Sequence, residues 1–141
     1  MKFILTFFFI ISLFLITQIQ ISNAKVYNIE LPKQIIIGSN INIIVSSSSY
    51  IQNWNDFGII WGILNENHEC NGCIGQEIGY ENLYDNNFIG NLTYSIKIPN
   101  LNNGSYTFIA AVPYLVGISG ETGINYFNQS INLISDAKMR I

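Results

Sequence analysis

Hydrophobic and polar positions alternate with period two along most of this chain, and no stretch beyond residue 24 repeats at helical spacing. Leu92, Tyr94, Ile96 and Ile98 alternate with Asn91, Thr93, Ser95 and Lys97, the pattern of a half-buried strand that Pro99 ends. Tyr106, Phe108, Ala110 and Val112 share one face of a second such run. Ile41, Ile43 and Val45 share one face of a third, closed by the serines 46 to 49. Val26 to Leu31 reads as a first edge strand that Pro32 stops, because proline cannot donate into a ladder. Phe57, Ile59 and Trp61 predict a strand with Trp61 as a core anchor, and Phe127, Ile131 and Leu133 predict a last strand. Between 75 and 87, Ile78, Tyr80 and Leu83 indicate a short irregular one.

Turns separate these runs every eight to twelve residues: Gly38-Ser39-Asn40, Asn100 to Gly104, and a glycine-punctuated loop from Pro113 to Gly123. About seven short strands without helix predict an all-β fold, an immunoglobulin-like antiparallel β-sandwich. The Tyr50 to Asn55 segment reads as a polar, aromatic loop that leaves Trp54 exposed.

The first 24 residues stand apart. Lys2 precedes an apolar run from Phe3 to Ile16, and Ser22 and Ala24 occupy the small-residue positions of a cleavage site, so 1–24 reads as a cleaved secretory signal peptide. Removing 24 of 141 residues leaves 117, the size of one domain: a sandwich over 25–134 and a short polar tail over 135–141. The segment takes one lysine and no acid with it, so the net charge of −3 becomes about −4, which disfavours nucleic acid and anionic membrane as partners. No second apolar stretch follows, so no stable membrane insertion is expected of a mature, monomeric, extracellular chain.

Charged residues make up 11% of the chain against the usual quarter, and N-linked sugars are a source of the missing solubility. Three acceptor sequons are present, at Asn91, Asn103 and Asn128. Asn91 and Asn128 fall on the faces that alternation assigns to solvent.

Cys70-Asn71-Gly72-Cys73 is compatible with a redox pair, half a zinc site or a local disulfide. A redox pair wants a helix N-terminus, and zinc would need His68 and Glu69 crowded into the same six residues. In an oxidising compartment a Cys70–Cys73 disulfide is expected, with no metal and no cofactor. His68 is the sole histidine, the nine acids are scattered, and no nucleophile motif appears, so the chain reads as a non-enzyme. The exposed aromatics remain as binding elements.

YIQNWNDFGIIWG, from Tyr50 to Gly62, and AAVPYLVGISGETG, from Ala110 to Gly123, resemble the fungal necrosis-inducing secreted protein family, the Nis-type effectors. The likeness runs through nearly the whole mature chain, while the HECNGC loop falls outside the family pattern. It implies an effector secreted by a plant-associated fungus that suppresses pattern-triggered immunity. The implied partners are host receptor-like kinases and associated cytoplasmic kinases, reached by uptake into host cells, with plant cell death as the other activity. The alternative from another class is a secreted cell-wall glycan-binding or wall-assembly β-sandwich module.

In an immunoglobulin-like sandwich the loop between the second and third strands shares an end with the loop between the last two. The sequence therefore predicts one partner-binding surface from Tyr50, Gln52, Trp54, Tyr114 and Glu121. Asn103 and the Cys70 loop are expected at the opposite end.

Overall fold

The computed structural model describes residues 24–68 and 70–136. Of the signal-peptide reading only Ala24 falls within these, paired with Ser49; the rest of that segment and 137–141 of the tail lie outside the described residues.

Among the described residues, nine strands form two packed sheets: β1 (Ala24–Glu30), β2 (Gln34–Ile36), β3 (Asn40–Ser49), β4 (Trp54–Asp56), β5 (Gly58–Asn65), β6 (Gln76–Asn82), β7 (Gly90–Lys97), β8 (Gly104–Val116) and β9 (Glu121–Ile134). The smaller sheet runs β1-β3-β7. The larger runs β2-β9-β8-β5-β6, with β4 paired to β8 outside that path. With β1, β3, β7 as strands A, B, E and β9, β8, β5, β6 as G, F, C, C′, this is the immunoglobulin order. β2 continues strand A into the second sheet, where it pairs parallel to β9, so one pairing departs from the expected antiparallel pattern.

Alternation builds the core. Ile43 and Val45 on β3, Ile59 and Trp61 on β5, and Phe108, Ala110 and Val112 on β8 all lose their water between the sheets. The Trp61 ring packs against Phe108 at 5.8 Å and Tyr94 at 6.1 Å. Two further features of the fold appear on β8. The Tyr106 hydroxyl donates to the Asn102 carbonyl at 3.2 Å, four residues upstream at the corner between strands E and F. Two positions later, where antibody domains carry the second cysteine of their inter-sheet disulfide, stands the fully buried Phe108. Packing of Phe108 on Trp61 therefore takes the place of a covalent bridge.

Several expectations are corrected by the pairing. The serine run belongs to β3, with Ser46 and Ser47 buried, and Pro113 to Val116 belong to β8. Phe57 was expected inward with Ile59 and Trp61. It instead forms the bend between β4 and β5, where its N–H donates to Pro113 O and its carbonyl accepts from Leu83, and its ring stacks outside on Tyr84 at 5.6 Å. Leu92, expected inward, stays open to solvent, while Ile96 on the same face of β7 is buried.

Trp61→Ala is expected to cost about 3–5 kcal/mol. Tyr106→Phe, which removes only the corner hydrogen bond, should cost about 1 kcal/mol. Urea unfolding with an unchanged denaturant slope is the check.

Candidate functional site

The Tyr50 and glycine-rich segments meet at one end of the sandwich, as the loop assignment predicts. β3 delivers the chain to a short connection at 50–53, and β8 and β9 close on a turn at 117–120. Gly117 N–H donates to Asn53 O at 2.8 Å, which ties the two loops together. Between them lies a shallow cleft of about 650 Å³ lined by Gln52, Asn53, Gly117, Ile118 and Ser119. Asn103 sits in the turn before β8, and 13 residues of strand put it about 40 Å away, at the expected opposite end.

Trp54 is not exposed. It retains 5% of its surface, because Trp54 to Asp56 is no loop: β4 pairs with β8, Trp54 opposite Val116 and Asp56 opposite Tyr114. The ring stacks on Tyr114 at 4.3 Å and meets Tyr50 edge-on at 5.1 Å. The Lys25 ammonium lies 3.9 Å from the Trp54 ring centroid and 4.8 Å from that of Tyr50. Gly123, opposite Tyr114 on β9, makes room for this stack, since a Cβ there would stand 2.5 Å from the Tyr114 hydroxyl.

Asp56 holds the arrangement. Its carboxylate is buried and accepts from Trp54 Nε1 on Oδ1 and from the Val26 backbone N–H on Oδ2, each at 2.7 Å. Val26 belongs to the smaller sheet and Asp56 to the larger, so one side chain bridges the layers. Burial pushes the Asp56 carboxyl above its ordinary value, against the opposing pull of the Val26 N–H, the Trp54 indole and the Lys25 charge.

The structure thus brings Tyr50, Trp54 and Tyr114 into one aromatic cluster. Gln52 lines the cleft beside it, and Glu121 is exposed beside the 117–120 turn, paired with Val116. The outermost groups are two that alternation did not mark. Ile51 and Ile118 are fully solvent-exposed, one on each loop tip. The signal for them is local: a β-branched apolar residue in a tight turn serves neither turn geometry nor core. Lys25 and Asp56 were likewise missed.

The Cys70–Cys73 disulfide is present. Its loop leaves β5 at the expected far end, where Asn65 pairs with Tyr106, and then folds back against the outer face of the larger sheet, where Tyr126 on β9 donates its hydroxyl to Gly72 O at 3.0 Å. No group of three or more His, Cys, Asp or Glu side chains converges among the described residues.

Comparison with known proteins places this geometry among relatives. The model of the Nis1 family matches residues 22–132. Necrosis-inducing secreted protein 1 of Colletotrichum higginsianum is 26% identical over 116 residues, covering 80% of this chain and 81% of that one. Its namesake in Colletotrichum orbiculare is 29% identical over 118 residues, covering 82% and 73%. Among solved structures, a superoxide reductase (neelaredoxin) from Ignicoccus hospitalis superposes with a TM-score of 0.50 at 13% identity, covering 79% of this chain and 80% of that one. That likeness is one of fold alone.

Two predictions follow from the Asp56 bridge. Trp54→Ala should cost about 3–5 kcal/mol, as a core tryptophan does. For pH, Asp56 binds its proton more tightly folded than unfolded. Its contribution to stability is therefore full below about pH 4 and declines as pH rises through the folded value. The stability of the native chain minus that of Asp56→Asn, from urea unfolding between about pH 3 and 7, should shrink with rising pH. A difference that grows contradicts the assignment.

Proposed function

This chain belongs to the Nis1 family, and from that membership we propose that it is a secreted effector. It promotes necrosis in plant tissue and suppresses pattern-triggered immunity by binding the kinase domains of host receptor-like kinases and their associated cytoplasmic kinases. The names of both Colletotrichum relatives support the secreted, necrosis-inducing part of this reading. The kinase partner rests on the resemblance carried by the Tyr50 to Gly62 and Ala110 to Gly123 segments.

The observation that carries a partner surface is the pair Ile51 and Ile118. Each is fully exposed, and their loops are joined by the Gly117 to Asn53 hydrogen bond. A single exposed isoleucine needs no explanation, but two on adjoining loop tips, above a rigid aromatic base, form an anchor that the fold itself does not use. In this reading the isoleucines enter an apolar recess on the kinase domain, while Gln52 and Glu121 set register at the rim. Trp54 and Tyr114 act from beneath, by fixing the loops before the partner arrives.

The test is titration calorimetry of the purified chain against the kinase domain of a plant receptor-like kinase. Ile51→Asp and Ile118→Asp should each weaken binding about tenfold or more, a loss of about 1.4 kcal/mol, with unchanged urea midpoints. The same variants should lose necrosis on leaf infiltration. Full affinity in the double variant overturns the surface.

A further inference from the structure

The disulfide loop is unused by the reading above, and its surroundings are built. Register fixes rows across the outer face of the larger sheet: Ile60, Ala111 and Tyr126 in one, Gly62, Ile109 and Asn128 in the next. Ile109 and Ala111 are buried although they lie on the side of β8 away from the core residues Phe108, Ala110 and Val112. Their cover is the chain around the disulfide. It crosses β5 so closely at Gly62 that a Cβ there would stand 2.2 Å from the Ile74 carbonyl.

Between loop and strands runs a cleft of about 570 Å³, within the range of small-ligand sites. Leu64 and Ile109 give it an apolar floor, and Asn65, His68 and Thr107 give it a polar rim. Asn128 lines the same cleft, is itself exposed, and opens the sequon Asn128-Gln129-Ser130.

We propose that Asn128 carries an N-linked glycan whose first N-acetylglucosamine seats in this cleft, covering the apolar floor beside the disulfide loop. The proposal rests on the chain being secreted. In the transfer, Asn128 Nδ2 forms a bond to the anomeric carbon of a lipid-pyrophosphate-linked oligosaccharide. The anomeric C–O bond breaks, the lipid pyrophosphate leaves, and the nitrogen gives up one proton to the transferase.

The chemistry of the occupant matches the walls. A pyranose ring has an apolar C–H face suited to Tyr126 and Leu64, and its hydroxyls and acetamide suit the Asn65, His68 and Thr107 rim. Because the sugar is tethered, it faces the cleft at high effective concentration, and weak contacts suffice to hold it. The other two sequons serve as internal controls, since Asn103 sits in the turn at the far end and Asn91 on the edge strand of the other sheet.

The full chain, with its leader, is expressed in a eukaryotic secretory host, and the folded product is treated with an endoglycosidase that cuts within the chitobiose core. Site-resolved mass spectrometry should show the Asn128 glycan cut at least about tenfold more slowly than those at Asn91 and Asn103. Unfolding should make the rates equal. Tyr126→Phe, which removes the bond to Gly72 O, should speed cleavage at Asn128 alone. A secreted chain whose Asn128 is unmodified, or whose glycan there is cut as fast as the others, overturns the proposal and leaves the secreted reading intact. Failure of the chain to be secreted overturns both.

Discussion

One buried carboxylate organises the end of the molecule on which the functional reading rests. Asp56 lies between the sheets, where an unpaired charge would be expensive, and two N–H donors and a nearby ammonium offset part of that cost. The donor from Val26 lies in β1, an edge strand, so the carboxylate also satisfies backbone that the ladder to β3 leaves free. The donor from Trp54 fixes the indole against Tyr114. With that ring packed inward, Ile51 projects into solvent on one loop and Ile118 on the other, and the Gly117 to Asn53 hydrogen bond joins the two loops. The exposed Ile51 thus lies 3–5 residues before the buried contact between Trp54 and Asp56.

The body of the sandwich solves a different problem. Immunoglobulin domains commonly staple their sheets with a disulfide, and this chain places its two cysteines elsewhere. Phe108 against Trp61, with Ile43 and Val45 from the facing sheet, supplies apolar burial in its place. The corner hydrogen bond of Tyr106 holds the turn into β8. The disulfide closes a loop of the outer face, where it shapes a surface and contributes little to global stability, since a four-residue ring removes little chain entropy.

Much of this was legible from alternation. β7 read well from Tyr94 onward and β8 from Tyr106 to Val112, and Trp61 followed from its alternation with Ile59. What alternation could not give was Trp54. β4 is only three residues long, its neighbours Asn53, Asn55 and Asp56 are polar, and its burial depends on Val26, 30 residues upstream of Asp56. The buried serines of β3 escaped for the same reason, because a hydroxyl such as that of Ser47 is satisfied by Phe88 O, 41 residues on. The meeting of the two loops was read from topology, since strand order alone puts them at one end. Which of their side chains face outward was not, because that is decided by the partner of Asp56.

Hydrogen exchange followed by NMR tests this most directly. The Val26 amide and the Trp54 indole N–H should exchange as slowly as the core amide of Phe108, through global unfolding alone. Exchange of either proton as fast as the amides of Ile118 and Ser119 on the hairpin tip would contradict the account, because the bridge between the sheets would then be open in the native state.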